Sequence, residues 1–458
     1  VSQKRPESAL AATALEDHPV LLEVEDLHVH FAIRGGFLDR VTGRSSGSVK
    51  AVDGVTFQLR RGEVLGLVGE SGSGKTTLGR AILGLAPITG GTVRFGVGSQ
   101  ARELTRMSEH EFRPLRRKMQ LVFQDPHASL NPAMDIATAV AHPLRIHGVT
   151  RDRDEIDKRV RAALERVGLA PVERYLHKYP SDLSGGQKQR AVLARAIMLG
   201  PELLVADEPV SMLDMSVRAK ILQLMLDLKD DLGLSYVYIT HDLATAKFFC
   251  DTIAIMYLGR IVEIGPAEEI YADPKHPYTR SLLRAIPDPD PAKAVPRDLP
   301  RGEVPDAARP PAGCSFHPRC PHAFEPCGWE GRDLRALLEQ RWTGVSEETY
   351  EAERAVVGDL AGVESGNSGD ADVARVAAAS GHTGAEVADL LREVRAGDRD
   401  EPLWRGVRDI AELDGAVDVY FQPGVDPVLR RASRAQVACH LYPGDNPADH
   451  AGSISDAP

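Results

Sequence analysis

The chain has 458 residues, 43% of them hydrophobic and 26% charged, with a formal net charge of −11. That length and composition suit a folded chain of two or three domains, and the negative charge, with no basic stripe carrying interleaved aromatics, argues against a nucleic-acid partner. No run approaches the roughly 18 to 20 apolar residues of a membrane span, and the first twenty residues lack the basic-then-apolar layout of a secretion signal, so the expected compartment is the cytoplasm.

Residues 1–19 are read as a tail. From Val20 to Ile264, short β-branched runs alternate with longer helical patterns, which predicts an α/β domain with a largely parallel sheet. The clearest strands are EVLGLVG (63–69), MQLVFQ (119–124), LLVADE (203–208) and SYVYITH (235–241). Each ends in polar or glycine residues, where α/β proteins keep their ligands. Residues from about 125 to 200 are expected to form a helical subdomain, with Ile156, Val160, Leu164 and Val167 at helical spacing. Residues 265–312 are dense in proline and are expected to be a linker with one helical turn region. Residues 313–458 form a C-terminal region, in which ESGNSGDAD (364–372) reads as a loop and TGAEVADLLREV (383–394) as a capped helix.

GESGSGKTT, residues 69–77, follows a strand and precedes a helical pattern, the context a G-x-x-x-x-G-K-[ST] phosphate loop requires. Gly69, Ser71, Gly72, Ser73 and Gly74 let backbone N–H groups curl around the β- and γ-phosphates, and the helix opening at Lys75, Thr76 and Thr77 adds its dipole. Lys75 supplies a point charge and the Thr76 hydroxyl a ligand for Mg²⁺. LLVADEP then delivers two carboxylates to a strand end. Asp207 is expected to hold Mg²⁺ through water, and Glu208 to orient and deprotonate the attacking water.

DLSGGQKQR, residues 182–190, places Ser-Gly-Gly at a helix N-terminus, a second anion site. Together with the loop at 69–77, Gln124, LLVADE and His241, it resembles the nucleotide-binding subunits of ATP-binding cassette transporters. The resemblance implies an ATPase core with a parallel sheet, an antiparallel β subdomain and a helical subdomain. It further implies two subunits stacked head to tail, so that Lys75, Thr76, Asp207, Glu208 and His241 form one face of a site. Ser184, Gly185, Gly186 and Gln187 then close the partner's. By the same resemblance Gln124 senses Mg²⁺ and the lytic water, His241 contacts the γ-phosphate, Asp214 lies in the loop crossing the interface, and Phe31 stacks on adenine. Met212 stands where the family usually has alanine. Glu208 and the LSGGQ segment are intact, as a hydrolysing subunit requires.

DPKHPYTRSLLRAIP, MYLGRIVEIGPAEEIY and RPPAGCSFHPRCPHAFEPC look like the ATPase subunits of dipeptide and oligopeptide importers, the second of their two ATPase subunits in particular. The resemblance runs from 20 to about 328 and resumes at QVACHLY (436–442). Residues from about 330 to 435 are an insertion, expected to be a helical surface elaboration. What the resemblance implies is an ATP-hydrolysing subunit on the cytoplasmic face of the cytoplasmic membrane. Its expected partners are two permease subunits, a second ATPase subunit and an extracytoplasmic peptide-binding protein. Import of nickel, a sugar or glutathione is the alternative within transport. A soluble cassette ATPase would show a long coiled coil or a duplicated cassette, and neither is evident.

Of five cysteines, Cys250 sits in an apolar run and reads as core. Cys314, Cys320 and Cys327 share a proline-stiffened loop and Cys439 lies far along the chain. Disulfides are uncommon in a reducing compartment and five is an odd number, which leaves metal binding or burial. Four thiolates suit zinc or an iron–sulfur cluster. The gaps of five and six residues between the first three are wider than zinc knuckles use, and the resemblance implies a four-iron, four-sulfur cluster at this motif. His317, His322 and His440 stand nearby and are not needed as ligands.

Overall fold

Of the strand-forming runs read from the sequence, those at 63–69, 203–208 and 235–241 lie inside one sheet, because each is apolar on both faces and must be covered on both, while that at 119–124 forms an edge. In a computed structural model of the chain, the described residues are 18–33, 47–286, 302–363 and 372–443. The expected N-terminal tail before His18, much of the proline-rich segment and nearly all of the 364–372 loop lie outside them. The chain divides into two units, Val1–Pro274 and Lys275–Pro458.

In the first unit, β1 (Val20–Ala32), β2 (Ser48–Arg60), β4 (Gly90–Phe95) and β5 (Arg102–Glu103) make an antiparallel sheet in the order β2-β1-β4-β5, where β3 is Val64–Val68. Alternation sets its inner face: Leu22, Val24, Val52, Phe57 and Leu59 are buried. The second sheet contains β6 (Met119–Val122), β7 (Leu203–Asp207), β8 (Ser235–Thr240), β9 (Thr252–Tyr257) and β10 (Arg260–Pro266), in the order β10-β9-β3-β8-β7-β6. Strands β6, β7, β8, β3 and β9 are all parallel to their neighbours, and β10 returns antiparallel on β9. Every residue of β3, β7 and β8 is buried.

Between β6 and β7 the helices Ile136–Ile146, Arg153–Arg166 and Gly185–Ile197 pack on one another. Arg153–Arg166 is charged on its outer side and buries Val160, Ala163 and Leu164. Asp135 and Asp152 cap the first two of these helices, each accepting a backbone N–H.

The sequence expectation fails in two places. The segment expected as a tether from 265 carries two helices before residue 287, Ala267–Ala272 and Pro277–Arg284, and the first unit extends past Ile264 to Pro274. Burial of Ile270 and Tyr278 holds them, and Pro277 at the first helical position suits the start of the second.

The insertion is not only helical. Helices Gly331–Gly344 and Glu347–Val356 are followed by β11 (Val373–Ala377), β12 (Val407–Leu413) and β13 (Ala416–Phe421), an antiparallel sheet in the order β11-β13-β12. Helix Gly384–Gly397 covers it, burying Val387, Leu391 and Val394 alongside Val376, Val417, Val419 and Phe421. A Cβ on Gly384 would stand 2.2 Å from the Leu413 carbonyl oxygen and 2.3 Å from that of Ala416, which sets the close approach of helix to sheet. Arg375 and Asp418 face each other across β11 and β13 in a bidentate pair of two 2.7 Å bonds. The short hairpin β14 (Arg430–Ala432) and β15 (Ala435–Val437) leads on to Cys439.

No helix among the described residues is long and apolar enough to cross a membrane. Replacing the fully buried Phe421 by alanine is expected to cost the second unit about 3 to 5 kcal/mol, read as a lower urea midpoint and faster proteolysis within residues 330–435.

Candidate active site and cysteine cavity

The loop 69–74 connects β3 to the helix Lys75–Ile82. Gly74 caps that helix in the left-handed region at φ 100°, where a Cβ would lie 2.1 Å from the Ala51 carbonyl oxygen, and a Cβ on Gly69 would lie 2.2 Å from that of Met256. Glycine is required at both by backbone passing at van der Waals range. Ser71 is exposed and Ser73 buried, while Thr76 and Thr77 are half-buried in the first helical turn. Lys75 is buried, and its Nζ donates to the carbonyls of Gly69 (2.8 Å) and Glu70 (2.7 Å) and to Ser73 Oγ (3.1 Å). Burial lowers its pKa, against the opposing pull of Glu208, Asp207 and Glu70.

Asp207 ends β7 and is buried, accepting a 3.0 Å hydrogen bond from the Thr76 hydroxyl. Burial pushes its carboxyl above the usual range and the Glu208 charge adds to this, while the Thr76 hydrogen bond, Arg80 and Lys75 pull it back in part. A hydroxyl and a carboxylate, both hard oxygen donors, meet at one point, the donor set Mg²⁺ prefers.

Glu208 adopts φ 46°, uncommon for a residue with a side chain, and its N–H donates to the Ile239 carbonyl at 2.9 Å. Its carboxylate is held at both oxygens. Gln124 Nε2 donates to Oε2 at 3.1 Å, and His241 Nδ1 lies 2.9 Å from Oε1. Gln124 follows β6, Glu208 follows β7, His241 follows β8 and the phosphate loop follows β3, so the group assembles at the C-terminal ends of four neighbouring strands.

Ser184 caps the helix Gly185–Ile197. Its N–H donates to Gln187 Oε1 at 3.0 Å while the Gln187 N–H donates to Ser184 Oγ at 3.4 Å. A Cβ on Gly186 would stand 2.6 Å from Val217 Cγ1 and one on Gly185 3.3 Å from Leu213 Cδ2, so both glycines also serve close packing. None of these four hydrogen bonds to Lys75, Asp207 or Glu208. Asp214 caps the helix Met215–Leu232, accepting from the Val217 N–H at 3.0 Å and the Ser216 hydroxyl at 2.9 Å, which hold its carboxyl below the ordinary range. Phe31 is exposed near the end of β1, and the loop beyond it, from residue 34 to 46, lies outside the described residues. Sequence reasoning passed over Asp242. It caps the helix Leu243–Phe249 and pairs with Arg218 at 3.0 Å, fixing the chain next to His241. An aspartate directly before a helical run was the available signal.

In the second unit Cys314, Cys320, Cys327 and Cys439 line one small cavity, with Phe316, Phe324 and four histidines around them. Cys314 and Cys327 are bridged by a 2.9 Å backbone hydrogen bond. Gly313 and Gly328, both at positive φ, let the two segments pass: a Cβ at either would meet carbonyl oxygen at 2.6 or 2.5 Å. His317 Nδ1 lies 2.9 Å from the Cys314 carbonyl oxygen and Nε2 3.2 Å from Asp333, the third residue of the helix Gly331–Gly344. Fully buried His276 is pushed down to about 3, by burial and then by Arg280. Burial and neighbouring thiols push Cys327 up to about 12 and raise Cys320 and Cys439 as well. Cys250 is buried in the first unit, as expected. Among the described residues, no three of the four sulfurs lie mutually within 4.8 Å.

A family model described as ABC transporter matches residues 52–211, and one described as oligopeptide/dipeptide transporter, C-terminal region, matches residues 262–327. The oligopeptide transport ATP-binding protein OppF of Escherichia coli (strain K12) is 45% identical over 314 residues, covering 68% of this chain and 92% of that protein. OppF of Salmonella typhimurium is 44% identical over 327 residues, 71% of this chain and 94% of that one. A Brucella ovis protein, provisionally named a peptide import ATP-binding protein, is 44% identical over 319 residues, 69% and 94% of the two chains. These names and descriptions mention ATP binding and peptide transport and no metal.

Asp207→Asn removes a buried charge and keeps an acceptor for Thr76. It is expected to raise the thermal midpoint of the nucleotide-free chain by a few degrees at neutral pH while abolishing Mg²⁺-dependent hydrolysis. Because the folded-state pKa of Asp207 is raised, its protonation on acidification returns the same stability to the wild type. The advantage of the variant therefore shrinks as pH falls, which calorimetry across a pH series reads directly.

Proposed function

The chain belongs to the ATP-binding proteins of the ABC transporter family, in the oligopeptide/dipeptide branch, and from that premise we propose that it is the ATP-hydrolysing subunit of an oligopeptide importer. The observation that carries the chemistry is the Glu208 carboxylate held between Gln124 at 3.1 Å and His241 at 2.9 Å beside Lys75. A carboxylate oriented at both oxygens at a strand end is suited to take a proton from water attacking a γ-phosphate. Lys75 and the N–H groups of the loop bind the phosphates, and the His241 ring, more than half exposed, is free to meet the γ-phosphate from solvent. Mg²⁺, when bound, supplies charge neutralisation across the phosphate oxygens, and Thr76, Asp207 and Gln124 are the residues to hold it.

Phe31 stacks on adenine in this reading. Ser184, Gly185, Gly186 and Gln187 close the site of a second ATPase subunit, with Asp214 in the loop at that interface. Two permease subunits and an extracytoplasmic peptide-binding protein complete the assembly, and this subunit sits peripherally on the cytoplasmic face of the membrane. OppF is named for oligopeptide transport, and that name is the reason to prefer peptides over nickel, a sugar or glutathione.

The cysteine cavity is proposed to hold a four-iron, four-sulfur cluster. Four soft donors converge on one cavity, and burial raises the pKa values of Cys320, Cys327 and Cys439, so ionising those thiols is favoured by a cation among them. When bound, the cluster would cross-link the 314–327 loop to the segment at Cys439.

Glu208→Gln in the complete transporter is expected to slow ATP hydrolysis by about 10²- to 10⁴-fold with ATP binding intact, and to stop uptake of a labelled oligopeptide. Hydrolysis near the wild-type rate would reject Glu208 as the base, and uptake of another solute but no peptide would reject the cargo. Anaerobically purified protein is expected to carry iron at about four per chain with broad visible absorption, both lost in Cys439→Ser. Zinc or no metal in the wild type overturns the cluster and leaves the ATPase assignment standing.

A further inference from the structure

Away from the ATP site, three side chains of the antiparallel sheet bring their donor atoms to one point. His28 and His30 are two residues apart on β1, so their rings leave the same side of the strand, and Asp53 stands opposite His28 on β2. Asp53 Oδ1 lies 3.2 Å from His28 Nδ1 and 3.0 Å from His30 Nε2, and ligand atoms of the three residues all lie within 4.8 Å of one another. A tetrahedral ion with bonds of about 2.0 to 2.1 Å sets its ligands about 3.3 Å apart. The two measured separations are close to edges of that shell.

With a neutral ring, hydrogen bonding alone leaves a conflict at His28. Its Nε2 lies 3.1 Å from Asp26 Oδ1, while its Nδ1 faces Asp53. Both partners are carboxylates, which accept and do not donate when ionised, whereas a neutral imidazole has a single N–H. If that N–H goes to Asp26, the Nδ1 lone pair points at a carboxylate oxygen. A metal ion at that point turns both lone pairs into ligands, and Asp26 becomes the outer carboxylate that fixes the tautomer of a metal-bound histidine.

The charges around Asp53 narrow the class of ion. Arg260 Nε and Nη2 donate to its other oxygen, Oδ2, at 3.2 and 2.9 Å, and Lys50 Nζ is 3.8 Å from it. Asp53 Oδ1 is left turned to the two histidines. Two nearby cations weaken any ion held by charge alone, which disfavours Ca²⁺ and Mg²⁺, and imidazole nitrogens favour the zinc class.

We propose that His28, His30 and Asp53 form a binding site for one divalent transition-metal ion of the zinc class, oriented by Asp26 and open to solvent at its remaining position. Both rings are 28% exposed, so the ion has a route in.

The test is a titration of the full chain, stripped by chelator, with Co²⁺, set beside His30→Gln. Cobalt in the cysteine cavity announces itself by thiolate charge-transfer absorption in the near ultraviolet, which two imidazoles and a carboxylate do not give. The wild type is expected to bind one equivalent of Co²⁺ without that band and to release it to Zn²⁺. His30→Gln is expected to lose this equivalent while melting as the wild type does without metal. Diethyl pyrocarbonate modification of His28 and His30 in the wild type is expected to slow on adding Zn²⁺, and it decides the matter if His30→Gln does not fold. Cobalt binding unchanged in a folded His30→Gln, or ring modification indifferent to Zn²⁺, overturns the site and leaves an imidazolium–carboxylate network.

Discussion

The first unit depends on four parallel strands stopping in step. Val68 pairs with Thr240, Asp207 with Ile239 and Val122 with Ala206, so β3, β8, β7 and β6 end along one edge. Parallel hydrogen bonding fixes that register, and burial of both faces prevents any strand from slipping without exposing its apolar side chains. Lys75, Asp207, Glu208, Gln124 and His241 come from positions spread along most of the unit. They meet because each stands at or beyond the C-terminal end of one of these strands.

The same arrangement concentrates charge where water is scarce. Lys75 and Asp207 are both buried, and burial moves each toward its neutral form. Hydrogen bonds within the site hold this in check: three acceptors on Lys75, the Thr76 hydroxyl on Asp207, and Gln124 with His241 on Glu208. Positive φ at Glu208 adds backbone strain at the same point. Such a site lowers stability for the sake of chemistry, and substrate phosphates with Mg²⁺ supply the charges that relieve it.

The antiparallel sheet and the second unit follow different rules. Around Asp53 two histidines and Arg260 meet the carboxylate, and the sheet carries a charge network on strands whose other faces are core. In the second unit two glycines let backbone segments cross, and the cavity collects four thiols that are neighbours only after the chain has made a whole α/β layer between Cys327 and Cys439. The strands of that layer were legible in one respect. VRDIAEL and AVDVYF are separated by Asp414-Gly415, with Leu413 and Ala416 paired across the turn and Gly415 at φ 74°, the hairpin signal of an Asp-Gly pair. It was missed because β12 exposes much of its length, so its apolar alternation is weak.

Local chemistry alone determined much of this protein. Continuous apolar runs made the central strands readable nearly to the residue, and glycines, a lysine and a threonine between a strand and a helix made the phosphate loop readable. Those features act over a few residues, where sequence spacing and spatial spacing are tied together. What needed the tertiary structure was everything set by meeting at a distance. The clamp on Glu208 depends on strand register, and the trio of His28, His30 and Asp53 on pairing between β1 and β2. No spacing along the chain encodes these, because they arise from which backbone segments hydrogen-bond side by side, and that is decided by burying the core as a whole.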